Sequence, residues 1–235
     1  MRRIDLNADM GEGFGPWPMG DDTALLDIVT TANIACGFHA GDPDTMAATL
    51  AAARARGVAV GAHPGFDDKP GFGRRLIPMA ADAVERMVAY QVGAAQAMAA
   101  LAGTQLTHVK THGALNNLCQ GDAAASQAVA RAVRAVDAGL VLLVMPGTAA
   151  ERAARDAGLT TAAEAFADRA YADDLTLAPR GTPGAVLHDP DAIAARALDM
   201  VLSGEVETLS GRRLPLRFDS LCLHGDGATA VATAR

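Results

Sequence analysis

The chain has 235 residues, half of them apolar, and a formal net charge of −7 at pH 7. That length is sufficient for one sizeable core, while the acidic balance and the lack of a basic stripe argue against a nucleic-acid partner. No apolar run approaches membrane-spanning length and no secretory leader is recognisable, so we expect a cytoplasmic protein that does not use a membrane.

Strand-like and helix-like segments alternate from one end of the chain to the other. Short apolar segments predict strands at 3–8, 34–36, 58–62, 106–111, 140–144, 160–166 and 220–223, with a weak one at 206–209. Helical patterns cover 21–30, 43–56, 81–102, 123–136, a segment ending at residue 157, and 190–202. The helix at 43–56 has the clearest limits, because Asp42 suits the N-cap, Pro43 the first turn and Gly57 the C′ position.

This alternation predicts parallel strands joined by crossover helices. About seven repeats follow one another without a change in composition, which favours an α/β fold with one (β/α) barrel domain over residues 1–235, seven-stranded and irregular. An open, doubly wound sheet is the alternative.

Polar residues follow one strand after another. The pairs are Asp9 and Glu12, His39 and Asp42, His63 and Asp67, Lys110 and His112, Asp168 and Arg169, and His224 and Asp226. In a parallel barrel the carboxyl ends of all strands meet at one rim, which is where active sites form. A single histidine at such a place is more often structural. Four histidines at such places, each close to a glycine, indicate a functional rim. They are His39, His63, His112 and His224.

Two kinds of hydrolytic site fit these residue types. In one, a histidine or aspartate takes a proton from water while Lys110 or Arg169 stabilises the oxyanion. In the other, histidine and aspartate hold a metal ion that activates water. The spacing does not choose between them, because no HExxH motif occurs.

Other chemistries are disfavoured by missing motifs. No GxSxG motif occurs, and the three cysteines Cys36, Cys119 and Cys222 form no CxxC pair, so we expect buried thiols and not nucleophiles. No Gly-Lys dipeptide occurs, which excludes a Walker A loop. A nucleotide would therefore bind another subunit or an unconventional site.

Several blocks of the sequence together resemble the LamB/YcsF family. They are Ile4 to Glu12, Ala32 to Asp42 (ANIACGFHAGD), Gly61 to Pro64, His108 to Lys110 with His112 to Leu115, Phe166 to Arg169 with Tyr171, Pro179-Arg180, and Cys222 to Asp226. The blocks span nearly the whole chain in order, so the joint match is specific. The sequence departs from the usual family pattern at Thr111 and Asn116, where Pro and Tyr are common.

The resemblance implies a barrel of the glycoside hydrolase/deacetylase type. It also implies ATP-dependent opening of 5-oxo-L-proline (pyroglutamate) to L-glutamate, together with partner subunits B and C of a 5-oxoprolinase. ATP would be bound or used by those partners, and a divalent metal is an option. The alternatives are a metal-dependent deacetylase or amidohydrolase acting on a sugar or cyclic amide, and a non-catalytic binding subunit.

The candidate site residues follow from the rim segments and the matching blocks. The candidate catalytic residues are Asp9, His39, His63, Lys110, His112 and Asp168. The candidate substrate-binding residues are Asn7, Glu12, Asp42, Arg169, His224 and Asp226. If a metal is bound, its expected ligands are Asp9, His39 and His63.

Overall fold

The chain forms a closed parallel barrel in the computed structural model, which describes residues 3–223 and 230–235. The strands are β1 (Asp5–Met10), β2 (Thr31–Ala35), β3 (Ala59–His63), β4 (Leu106–Lys110), β5 (Val141–Val144), β6 (Thr161–Phe166), β7 (Glu205–Glu207), β8 (Arg213–Pro215) and β9 (Ser220–Leu223). Strands β1 to β6 and β9 pair in parallel in that order, and β9 closes the ring against β1. The predicted seven-stranded barrel is confirmed, and the open sheet was the wrong alternative. Strands β7 and β8 form a separate antiparallel ribbon.

Helices connect the strands on the outside of the barrel. They are α1 (Asp22–Leu26), α2 (Pro43–Arg56), α3 (Ala81–Leu101), α4 (Gly113–Gly121), α5 (Ala123–Val136), α6 (Ala149–Asp156), α7 (Pro190–Ser203) and α8 (Ala230–Ala234). Among the helices described, none combines the length and the apolar character needed to cross a membrane.

Helix α2 begins and ends as its sequence predicts. The Asp42 carboxylate accepts a hydrogen bond from the Thr45 amide at 2.8 Å, and Pro43 occupies the first turn. Gly57 ends the helix in the left-handed conformation, with φ of 68°. Local side-chain chemistry therefore sets both limits of this helix.

Two helices differ from the sequence prediction. Helix α1 is much shorter than the predicted 21–30, because the Thr30 amide already donates to Leu6 O of the neighbouring strand at 3.0 Å. Strand pairing thus stops the helix early. Helix α4 was not predicted, because its short pattern follows directly after a strand.

The inside of the barrel is polar. Asn7 donates from Nδ2 to Ser220 Oγ at 2.7 Å, and Asn33 Nδ2 donates to Asn7 Oδ1 and Asp9 Oδ1 at 2.8 and 2.9 Å. His108 Nε2 lies 2.7 Å from Asn33 Oδ1. These residues alternate along their strands with buried apolar ones, which face the helices and form the main core. The barrel therefore encloses a hydrogen-bonded layer that supports the rim above it.

Glycines allow close approach at two places in this framework. A Cβ on Gly61 would lie 2.3 Å from the His108 ring, so the bare backbone of β3 makes room for that side chain. At the rim, Gly41 has φ of 78°, and a Cβ there would lie 2.8 Å from Gly11 O. The loops that follow β1 and β2 can therefore touch only through glycine.

We predict that Gly41→Ala destabilises the fold more than Gly57→Ala. Both glycines are left-handed, which costs an alanine about 1–2 kcal/mol, but a Cβ at Gly57 meets open space whereas one at Gly41 meets a backbone oxygen. Urea unfolding of the two variants gives the comparison. Equal losses of unfolding free energy would contradict the close approach of the two loops.

Candidate active site

A cavity of about 630 Å³ opens at the carboxyl ends of the barrel strands. Its lining includes Asp9, His63, Lys110 and Phe166, which stand at the ends of β1, β3, β4 and β6. Side chains that are far apart in sequence thus meet at the predicted rim.

A buried ion-pair network forms the floor of this cavity. Lys110 Nζ lies 2.9 Å from Asp9 Oδ1 and 2.9 Å from Glu164 Oε1, and it also contacts Cys222 Sγ at 3.0 Å. Burial by itself would lower the pKa of Lys110, but the charge of Asp9, together with that of Glu164, outweighs it and holds the pKa well above its ordinary value. Lys110 is therefore a charged ammonium group whose donors are already engaged. It stabilises the negative charge of Asp9.

The orientation of two histidines is set by main-chain carbonyls. His63 Nδ1 lies 2.8 Å from Lys110 O, and His112 Nε2 lies 2.8 Å from Phe72 O. A carbonyl only accepts, so each of these nitrogens carries the proton in the neutral ring. The other two nitrogens, His63 Nε2 and His112 Nδ1, then direct lone pairs at each other across 3.0 Å. That contact is repulsive unless a proton or a cation lies between them.

Glu12 and His39 complete the same cluster. The His39 ring stacks on the His112 ring, with centroids 3.7 Å apart, and Glu12 Oε1 lies 3.4 Å from His39 Nε2 and 3.6 Å from His112 Nδ1. Burial, and then the neighbouring histidines, lower the pKa of His39 well below its ordinary value. Burial and His63 lower the pKa of His112 to about 3. Neutral imidazoles are the form that binds metals.

These four side chains can hold a metal ion. Glu12, His39, His63 and His112 are all buried and offer ligand atoms that lie within 4.8 Å of one another. Neither nitrogen of the His39 ring makes a hydrogen bond to a described residue. Converging acceptors and outer N–H groups held by carbonyls are the features of a divalent-metal site. The expected set of Asp9, His39 and His63 overlaps with it, and Asp9 Oδ2 lies 3.3 Å from His63 Nε2 at its border.

Several predicted residues lie elsewhere. Asn7 is buried inside the barrel beneath the cavity. Asp42 does not line the described cavity; its carboxylate caps α2 and accepts the Gly15 amide at 2.7 Å. Asp168 is half-buried and does not line the described cavity, whereas Arg169 does. The predicted residues His224 and Asp226 lie outside the described residues.

The structure also adds residues that were not among the candidate site residues. Arg74 and Arg180 line the cavity, Glu164 pairs with Lys110, and the Phe72 carbonyl orients His112. A charged residue within the apolar segment 160–166 was the available signal for Glu164. The Pro179-Arg180 block of the family resemblance was the signal for Arg180, whereas no local pattern marks Arg74. All three cysteines are buried free thiols, as expected.

Comparison with known proteins places this barrel among its relatives. The LamB/YcsF family model matches residues 4–235. The chain belongs to the LamB/YcsF family. It is 55% identical to the A subunit of 5-oxoprolinase from Gluconobacter oxydans (strain 621H), over 100% of this chain and 92% of that one. It is 56% identical to the A subunit of 5-oxoprolinase from Rhodopseudomonas palustris (strain BisA53), with the same coverage.

A solved structure of a similar protein agrees with the fold. The lactam utilization protein from Thermus thermophilus is 46% identical, with a TM-score of 0.94, and the match covers 100% of this chain and 94% of that one. Within the family pattern, the two unusual residues Thr111 and Asn116 both line the cavity here, and Thr111 Oγ1 donates to Asn116 Oδ1 at 3.3 Å.

We predict that His108 makes the stability of the fold sensitive to mild acid. Burial, and to a lesser extent Lys110, lower the pKa of His108 to about 4 from 6.5. In this pH range His108 is protonated in the unfolded chain but neutral in the folded chain. The free energy of unfolding therefore falls as the pH drops from about 6.5 to about 4. The full loss is roughly 3 kcal/mol at about 1.4 kcal/mol per pH unit.

Urea unfolding across this pH range, with His108→Gln as the variant, measures the effect. The variant should lose less stability than the parent on acidification, whatever its starting stability. The exposed His188 serves as the matched control, and His188→Gln should keep the parental slope. Parallel curves for His108→Gln and the parent would contradict a neutral His108.

Proposed function

We propose that this chain is the hydrolytic subunit of an ATP-dependent 5-oxoprolinase, which opens the lactam of 5-oxo-L-proline to give L-glutamate. The observation that carries the proposal is the convergence of Asp9, His63 and His112 beside a cavity sized for a small ligand. The names of its relatives support it, because they are the A subunits of 5-oxoprolinases and a lactam utilization protein.

Asp9 is the proposed general base. Its Oδ1 accepts hydrogen bonds from Lys110 and Asn33, both at 2.9 Å, while Oδ2 lies beside His63 where the cavity begins. One carboxylate oxygen is thus held in place and the other lies next to the reaction space. Asp9 takes a proton from water as that water adds to the lactam carbon, and His63 shares in the proton transfer.

A divalent metal fits the cluster of Glu12, His39, His63 and His112. When bound, it would lower the pKa of water and polarise the lactam carbonyl. The contribution of the chain is to fix the rings: the Lys110 and Phe72 carbonyls hold His63 and His112 in the tautomers that present lone pairs inward.

Partner subunits, B and C of the complex, would supply the ATP chemistry. A five-membered lactam resists hydrolysis, and this sequence has no Walker A loop. We propose that the partners transfer the terminal phosphoryl group of ATP to the lactam oxygen. Water adds to the activated carbon, the C–N bond breaks, and a second water releases phosphate. The sum is one ATP and two waters consumed for one glutamate, one ADP and one phosphate.

We predict that turnover requires the partner subunits. This chain alone, given 5-oxo-L-proline and ATP, should form no glutamate, whereas the complex reconstituted with subunits B and C should. Asp9→Asn should reduce glutamate formation by about 10²–10⁴-fold, since a general base is lost. His188→Ala should leave turnover unchanged. Robust turnover by the chain alone would refute the division of labour, and full activity of Asp9→Asn would favour a non-catalytic role.

We predict that the purified chain binds one divalent metal ion. Purified protein exposed to Zn²⁺ or Mn²⁺ should retain one equivalent, as measured by elemental analysis, and should unfold at a higher temperature. His39→Ala should weaken binding by at least roughly 10- to 100-fold, the loss known for outer-shell changes alone. His188→Ala should bind normally. If the wild-type protein keeps no metal, the cluster holds a shared proton instead.

The same cluster favours a second candidate function, a metal-dependent deacetylase or amidohydrolase that needs no ATP. The two functions differ in one measurement. Metal-loaded chain that hydrolyses an acetylated sugar or a cyclic amide without ATP and without partners supports the second candidate, whereas strict dependence on ATP and partners supports the first.

A further inference from the structure

Part of the cavity wall carries positive charge. Arg169 is buried, with 6% of its surface exposed, and it lines the cavity together with the exposed side chains of Arg74 and Arg180. These arginines come from two different loops, one after β3 and one after β6. Their charges act on one another: burial, and then Arg180, lower the pKa of Arg169 to about 10, and Arg74 adds to this effect.

No ion pair with another described residue neutralises the charge of Arg169. Its Nη2 donates to Ala178 O at 2.6 Å and its Nε donates to Ala185 O at 3.3 Å. Within 3–223 and 230–235, no carboxylate lies within ion-pair distance of its guanidinium group. The nearby Asp168 acts on it only through longer-range attraction. A buried cation held only by carbonyls is costly, and an anionic ligand would offset that cost.

Lys110, which also lines the cavity, is not available to pair with an anionic ligand. Lys110 already contacts Asp9 and Glu164. The lining of the cavity therefore includes Asp9, His63 and His112 together with three guanidinium groups. Arg74 is further placed by the Phe72 ring, with its guanidinium carbon 5.0 Å from the ring centroid, so Arg74 adjoins the residue that orients His112.

We propose that Arg169, with Arg180 and Arg74, forms a subsite for the phosphoryl group of an activated substrate, so that this chain receives the lactam already phosphorylated. This inference rests on the proposed function and assigns the residues that recognise the phosphoryl group of its activated substrate. One arginine is enough to pair with a carboxylate. Three guanidinium groups suit a dianionic phosphoryl group, with several oxygens to contact. The same arginines would stabilise the phosphate as it leaves.

Inorganic phosphate is the probe, and the isolated full chain is the sample. Calorimetry at constant ionic strength should show one phosphate site. Arg180→Gln and Arg169→Lys should each weaken phosphate binding by roughly 10- to 100-fold, the value of a charge-assisted contact. Arg86→Gln is the matched control, because Arg86 is an exposed arginine on α3 paired with Asp82, and it should bind phosphate normally.

Two further measurements test whether the variants are folded and whether the site prefers a phosphoryl group to a carboxylate. Thermal unfolding shows whether Arg169→Lys is folded, because the Arg169 side chain also donates hydrogen bonds to the backbone of its own loop. If that variant is unfolded, the result for Arg180→Gln decides, because Arg180 is exposed. In the second, 5-oxo-L-proline competes with phosphate. Weak competition supports a phosphoryl site, and full displacement by 5-oxo-L-proline at similar concentration assigns the arginines to its carboxylate and overturns the proposal.

Absence of phosphate binding, or binding that neither arginine substitution weakens, also overturns the proposal. No turnover is measured in these experiments. Failure of the reconstituted oxoprolinase assay would therefore refute the proposed function separately, and phosphate binding that depends on Arg169 and Arg180 would still stand.

Discussion

The ammonium group of Lys110 is the contact on which the rest of the site depends. It lies between Asp9 of the first strand and Glu164 of the sixth, and all three side chains are buried. Removing this one cation would leave two buried carboxylates without their counter-charge, which is among the most costly changes a core can suffer. The ion pairs therefore link separate strands of the barrel and hold Asp9 below the cavity.

The polar residues beneath Lys110 also hold Asp9 in position. Asn33 binds both Asp9 and Asn7, and His108 binds Asn33. Each amide has one orientation that satisfies all its neighbours, so the layer fixes the position of Asp9 by hydrogen-bond directions as well as by charge. A barrel filled with apolar side chains would be simpler to pack, but it would not orient a carboxylate.

The fold followed from the sequence because its signals are local and repeated. Alternation of apolar runs with helical patterns predicts parallel strands, and Asp42, Pro43 and Gly57 mark helix ends by their own chemistry. Part of the site followed for the same reason. His39, His63 and His112 lie at or just beyond the carboxyl ends of strands, and the geometry of a parallel barrel brings those ends to one rim.

What the sequence did not reveal depends on contacts between distant segments. Nothing near Thr30 shows that its amide pairs with Leu6 O and shortens α1. Arg74 and Arg180 lie on long loops between strands and helices. The patterns that predict strands and helices do not determine where the side chains of such loops lie. Asp42 shows how a local signal and a long-range contact combine. Its capping role followed from the sequence, whereas its hydrogen bond to the Gly15 amide did not.

The Phe72 carbonyl links the conformation of the loop after β3 to the tautomer of His112. Phe72 ends a short 3-10 turn in the left-handed conformation, with φ of 53°, and its carbonyl oxygen accepts a hydrogen bond from His112 Nε2. The tautomer of a ring in the cluster is thus controlled by a peptide plane and not by a neighbouring side chain. Rotation of that plane would remove the hydrogen-bond acceptor of Nε2 and let the neutral ring carry its proton on Nδ1 instead. A shift of this loop would in that way switch the cluster between two protonation patterns without moving any of its four side chains.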